Sequence, residues 1–130
     1  MSLQGKIGIW LDDERDPRTE EWREFAHRTS RGADRIIWAE SVEEFKVEIE
    51  RVLANEGATL HAVMFDIYLG YGQPSGHDAL AWLEEQVASR DIPRFHPSCH
   101  SHAERAERFK LRAGFYRLKA HWKAPRHKDS

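Results

Sequence analysis

Residues Gly8 to Arg18 read GIWLDDERDPR, a short apolar run that ends abruptly in four acidic residues out of five. The apolar part, Lys6 to Leu11, is too short and too uniformly hydrophobic for a surface strand, and fits a strand buried on both faces of a parallel sheet. Directly after it, Asp16-Pro17 has the signature of a helix start, an N-cap acid followed by proline at the first helical position. Glu20 and Glu21 then fall in the first turn, and Trp22, Phe25 and Ala26 lie on one helical face. Between strand and helix stand Asp12 and Asp13. Adjacent carboxylates repel one another and are costly to desolvate, so something must compensate them.

The same strand-then-helix unit recurs along the chain. Arg35–Ala39 (RIIWA) is a second strand, followed by Ser41-Val42-Glu43-Glu44, a capping box. Val42, Phe45, Ile49, Val52 and Leu53 follow on one helical face, which closes near Asn55-Glu56-Gly57. His61–Phe65 is a third strand and again ends at an acid, Asp66. A Gly/Pro/Ser loop, Leu69 to Gly76, leads to a helix carrying Ala79, Leu80, Leu83 and Val87, with Asp78 supporting its start. Ile92–Pro97 reads as a fourth strand. Ser101 to Glu104 reads as a further capping box, opening a helix with Ala103, Ala106 and Phe109 inward. Gly114–Leu118 (GFYRL) reads as a fifth strand.

Strands separated by helices cannot pair as hairpins, so the expectation is an open, doubly wound α/β sandwich around a five-stranded parallel sheet with right-handed crossovers. Residues 1–119 form its α/β domain and 120–130 a basic C-terminal tail, too short and too cationic for a full last helix. One flank is then left to a partner, or Trp122 folds back over it. Ligands in such folds bind beyond the carboxyl ends of the strands, the edge on which Asp12, Asp13 and Asp66 fall.

Composition bounds the rest. A chain of 130 residues with 40% hydrophobic and 32% charged content fits one globular domain. No apolar run is long enough to span a membrane, no signal peptide is evident, and the lone cysteine, Cys99, fits a reducing cytoplasm. Net charge is −2, but the acids concentrate early while Arg94 to Lys128 is basic and rich in histidine. That asymmetry suits an anionic partner for the last third, or merely a basic segment balancing an acidic body. It lacks the density of a dedicated nucleic-acid binder, and no DNA-binding motif is present.

Five residues gather on the expected strand ends: Asp12, Asp13, Asp66, Ser98 and Lys119. Three carboxylates from two strands suit a hard divalent cation, Mg²⁺, whose remaining positions are filled by carbonyl oxygen and water. An aspartate beside such a cation can also attack a phosphoryl group, with a hydroxyl and an ammonium as donors to the phosphoryl oxygens.

This set resembles the receiver domain of two-component response regulators: an acidic pair after the first strand, an acid after the third with Gly76 beyond it, Ser98-Cys99 after the fourth, and Lys119 after the fifth. The resemblance implies a flavodoxin-like (βα)5 fold with the last helix truncated or missing. It implies Asp66 as phosphoacceptor, Asp12 and Asp13 as metal-binding acids together with Asp66, Ser98 as switch hydroxyl and Lys119 as the phosphate-facing cation. WLDDERDPR, DIYLG and SGHDALAWL are closer still to a divergent branch, the cyclic-phosphate-processing receiver-like proteins, whose pattern runs LDDxRxP, DxDLG, TGxDxxxWL and HSxN. In that branch Arg15 is the matching arginine, a phosphate fork. The chain departs from the pattern at Tyr68, in place of the second acid of DxDLG, and at Ala120, where ordinary receivers favour proline. The HSxN element is degraded within His96 to Ser101.

Three functions follow as expectations. The first is a stand-alone receiver in signal transduction, forming a phosphoaspartate at Asp66 and meeting a kinase or effector protein. The second is a degenerate receiver retained for protein interaction, a homodimer among its forms. The alternative to both is an enzyme or sensor that processes cyclic phosphates, on nucleotides or RNA ends. The enzymatic step is correspondingly open between phosphoryl transfer to Asp66 and cyclic-phosphate hydrolysis. His96, Cys99, His100 and His102 crowd within seven residues, but a turn there would aim them apart, which disfavours zinc.

Overall fold

A computed structural model describes residues 3–124. Four strands, β1 (Gly5–Leu11), β2 (Arg35–Ala39), β3 (Ala58–Phe65) and β4 (His96–Cys99), form one parallel sheet in the order β2-β1-β3-β4. Between and after them run α1 (Glu20–Thr29), α2 (Val42–Leu53), α3 (Gly76–Ser89) and α4 (Arg105–Lys123). The alternation of strand and helix, the parallel pairing and the doubly wound order are as expected, but the sheet has four strands among the described residues.

The strand expected at Gly114–Leu118 is helix. A short aromatic run is ambiguous by itself, and only the longer window resolves it. Leu111, Gly114, Phe115 and Leu118 recur at helical spacing and all are buried, whereas a strand would have exposed every second one. Arg, Ala, Lys, Glu and Leu around them favour the helix intrinsically. Gly114 is the contact point with α3: a Cβ built there would lie 2.3 Å from Leu80 Cδ2, so the two helices meet where a side chain is missing. Phe109, expected inward, is 71% exposed. Trp122 lies within this helix and packs on the large core rather than folding back over an uncovered flank, its indole N–H donating to the Ile92 carbonyl at 3.1 Å and its ring meeting Phe95 edge-on. The helix passes through Ala120 without a break, and residues 125–130 of the expected tail lie outside the described residues.

Two helix starts also differ from the reading. Asp16 is not the N-cap of α1; its carboxylate is occupied by Arg18, accepting from the guanidinium and the amide, and the helix begins after Thr19. Ser101 does not cap α4, which begins after Glu104. By contrast Ser41 caps α2 by accepting from the Glu44 amide, and Ser75 with Asp78 forms a full capping box on α3.

Two unequal layers cover the sheet. On one face α2, α3 and α4 bury Ile7, Ile9, Leu11, Phe45, Val63, Phe65 and Leu83 in a large core. Each such side chain removed from water contributes about 1.5–3 kcal/mol. The other face carries, among the described residues, only α1, over a small cluster of Trp10, Ala26, Ala62 and Met64, with Trp22, Phe25 and Trp38 packed at its margin. Beyond β4 the sheet edge is open among the described residues.

Candidate functional site

Three residues occupy equivalent positions one step beyond the ends of adjacent strands. The amide of Asp12 donates to Ala39 O at 3.0 Å, that of Asp66 to Leu11 O at 2.9 Å, and that of His100 to Phe65 O at 3.0 Å. Each bond extends the parallel ladder by one rung, so the backbone lines up Asp12, Asp66 and His100 along the carboxyl rim of the sheet. All three are buried.

Asp12 is fully engaged. Its Oδ1 accepts from the amides of Glu14 at 2.9 Å and Arg15 at 2.8 Å, folding residues 12–15 into a tight turn. Its Oδ2 lies 3.0 Å from His100 Nε2 and 3.3 Å from the Arg15 guanidinium. A carboxylate can only accept there, so His100 Nε2 bears a proton, and the buried Nδ1 has no partner among the described residues. Burial works to raise the Asp12 pKa, but the His100 bond and the Arg15 and Glu14 amides outweigh it and hold the carboxyl below its usual value.

Asp66 is the opposite case. Burial, and then the charge of Asp12, push its carboxyl above the usual range; the charge of His100, the Ile67 amide and the Ser101 hydroxyl counter this only in part. The Arg15 guanidinium is 3.9 Å away, too far for a hydrogen bond. Asp13, half-buried, makes no side-chain hydrogen bond or ion pair among the described residues. One oxygen each of Asp12, Asp13 and Asp66 lie within 4.8 Å of one another. The set therefore fits a hard divalent cation: two under-used carboxylates, Asp13 and Asp66, offer their oxygens, and Asp12, saturated with donors, fixes the turn that presents them.

The aromatic side of the molecule holds that turn. The Trp10 indole donates to Arg15 O at 2.8 Å and the Trp38 indole to Asp12 O at 2.7 Å. Trp22 lies under the Arg15 guanidinium, 5.1 Å from ring centre to Cζ. Trp10 also stacks on His100, with ring centres 3.8 Å apart and planes at 8°. Besides packing the thin face of the sheet, these tryptophans are the donors and platforms that orient the site.

In front of the acids lies an open cavity of about 690 Å³, lined among others by Asp13, Arg15, Asp66, Tyr68, Ser101 and His102. Gly70 and Gly72, both at positive φ (102° and 73°), turn the loop that carries Tyr71 to its rim, fully exposed. Tyr68, where the family pattern has an acid, contributes a half-exposed ring.

Of the residues selected from sequence, Asp12, Asp13, Arg15 and Asp66 come together. Two do not. Ser98 lies within β4 opposite Met64, its hydroxyl buried and without a partner among the described residues, and Ser101 is the hydroxyl that reaches the cavity. Lys119, assigned to the end of a strand that does not exist, stands exposed on α4 in a groove with Arg31 and Arg94, away from the acids. His100, which the sequence offers only as a zinc candidate and within the degraded HSxN stretch, is the partner of Asp12. The HSxN element then fits His100-Ser101-His102-Ala103, with alanine in place of asparagine. The zinc arrangement disfavoured from the sequence does not form among the described residues: His100 is committed to Asp12, and His96 meets His61 at 5.1 Å between ring centres.

Comparison with known families returns one match: the model of the cyclic-phosphate processing receiver domain covers residues 7–112. No curated protein and no solved structure matches the chain.

Proposed function

Because the chain belongs to the family of cyclic-phosphate processing receiver domains, we propose that its acidic cavity binds a cyclic phosphodiester beside a divalent cation and opens it by hydrolysis. The observation that carries this reading is Arg15. Its guanidinium is stacked on Trp22, tied to Asp12 at 3.3 Å and poised 3.9 Å from Asp66, a cation fixed at the mouth of the acidic cluster. A planar fork suits the two free oxygens of a phosphodiester better than a single ammonium would. Ordinary phosphoacceptor chemistry calls instead for the lysine after the fifth strand, and Lys119 is elsewhere.

When bound, Mg²⁺ held by Asp13 and Asp66 supplies charge neutralisation and a water of lowered pKa. Arg15 binds the phosphoryl oxygens and offsets the charge that builds on them. Asp12, fixed by His100 and two amides, keeps Arg15 and Asp13 in register. Water adds to phosphorus as one ester P–O bond of the ring breaks; one of its protons stays on the new phosphoryl oxygen, and the other is passed by His102, exposed in the cavity wall, to the leaving alkoxide. The product is an acyclic phosphomonoester.

The test is incubation with 2′,3′-cyclic nucleotides and Mg²⁺, followed by phosphorus NMR. Monoester should appear, should fall at least a hundredfold for Arg15→Ala, and should vanish with chelator. A protein inert towards all four nucleotides that instead acquires a mass adduct at Asp66 from a small phosphodonor would replace this reading with receiver signalling, for which the position of Asp66 at the end of β3 speaks.

A further inference from the structure

The basic last third of the chain is not absorbed by the acidic cavity, and α4 shows how it is organised. One flank of this helix is occupied. Arg117 forms a forked pair with Glu84 of α3, and Glu107 takes His77 of α3 and Lys110. The opposite flank carries Arg105, Arg108, Arg112, Tyr116, Lys119 and Lys123, at successive spacings of three or four, so they form one stripe along the axis. All six are exposed, and the stripe contains no acid. None of its five cations forms an ion pair among the described residues. Tyr116, 69% exposed, interrupts the charges with a ring face, and Lys119 Nζ lies 5.6 Å from its centre.

The stripe has a direction. It lies on the helix that follows and contacts β4, the strand beyond which the sheet is open among the described residues. Its first residues follow Ser101 and His102 of the cavity wall, and its last, Lys119 and Lys123, reach a groove at the other end of β4 that also holds Arg31 and Arg94. At 1.5 Å per residue the stripe runs for about 27 Å. Like charges spaced this way repel one another along a helix. A protein of net charge −2 gathers them on one face at a cost that a polyanion would remove.

We propose that the outer flank of α4 is a track for single-stranded RNA, leading the strand along the open sheet edge to place its terminal cyclic phosphate in the acidic cavity. Phosphates would meet the five cations and a base would stack on Tyr116, the combination of backbone charge and aromatic platform that binds single strands without reading sequence. RNA follows from the end chemistry, since a terminal ring across neighbouring ribose oxygens requires the 2′-hydroxyl. That end placement rests on the cyclic-phosphate reading above; the track itself rests on α4.

The experiment is fluorescence anisotropy with a labelled eight-nucleotide oligouridylate carrying either a 2′,3′-cyclic phosphate or a 3′-hydroxyl, titrated at several salt concentrations. Both strands should bind, the cyclic end more tightly. The double variant Arg108→Glu/Arg112→Glu, whose residues are exposed and unpaired, should weaken both at least tenfold and flatten the salt dependence, with an unchanged melting temperature. Tyr116→Ala should weaken both about fivefold, while Asp66→Asn should erase only the preference for the cyclic end. Unchanged affinity in the double variant overturns the track even if cyclic nucleotides are still hydrolysed. Loss of strand binding in the double variant, without any preference for the cyclic end, upholds the track and removes the cavity reading. Equal, salt-sensitive binding of deoxyoligonucleotide or of polyglutamate overturns the assignment to RNA.

Discussion

The two faces of the sheet are built for different ends. The face under α2, α3 and α4 is thick and closed, packed from aliphatic side chains together with Phe45, Phe65, Phe95 and Phe115, apolar groups with no polar tip to direct. The face under α1 has a single helix, three tryptophans and a buried histidine, and it spends its polar groups on one turn. Both indole N–H groups, the imidazole and the ring beneath Arg15 converge on residues 12–15. The thick face supplies stability and the thin one supplies aim. Aromatic side chains suit the second task because they bury a large area yet keep a directed polar tip.

If that division is right, two core truncations should part company. Trp10→Ala, at a site with no solvent exposure, should cost about 4 kcal/mol in urea unfolding and weaken Mg²⁺ binding at least tenfold, because it frees Arg15 O and removes the platform of His100. Leu83→Ala should cost about 3 kcal/mol and leave Mg²⁺ affinity within twofold. A comparable loss of affinity in both, by isothermal titration, would erase the distinction.

A smaller effect sharpens it. His100→Ala should lose about 1–3 kcal/mol, the cost of withdrawing a buried partner from Asp12. In the opposite sense, Asp66→Asn should stabilise the metal-free protein, since it removes a carboxylate whose charge is penalised by burial and by Asp12. The same substitution should abolish the rise in melting temperature on adding Mg²⁺.

The smallest and most diagnostic effect is the pH dependence. The Asp66 carboxyl is raised in the folded protein, so its contribution to stability is present below the ordinary aspartate pKa and is lost as pH rises through the folded value. The advantage of Asp66→Asn should therefore be greatest near neutrality and shrink as pH falls. The Asp12 carboxyl is lowered, so its contribution is present above the ordinary pKa and is lost as pH falls through the folded value. The penalty of Asp12→Asn should also shrink on acidification, with the opposite sign. Urea melts at intervals from pH 7 to pH 3 would show the two curves converging on wild type from either side.

Much of this was legible in residues 8–100. Apolar runs of the right length, followed by helix-start signals at Ser41 and Asp78, fix strand and helix by local chemistry, and acids directly after β1 and β3 must then share a rim. Legibility failed where the deciding interaction was distant or the segment was short. GFYRL has strand propensity, and only its packing against Leu80 and the periodicity of nineteen residues make it helix. Asp16-Pro17 has the form of a helix start, but Arg18 claims the carboxylate first. His100 is brought to Asp12 across 88 residues by the order β1-β3-β4, which no local pattern encodes.

The open edge at β4 has a further consequence. His100 donates its amide inward to β3, so by alternation the position of Pro97 is one whose amide would point outward, and proline has none. With the strand only four residues long and Arg94 and exposed His96 at its start, the edge offers a poor template to any other strand. A sheet that stops one strand early would ordinarily invite another chain to complete it. Here the border is closed chemically rather than structurally, and that leaves the ground beside it free for a ligand that needs no ladder.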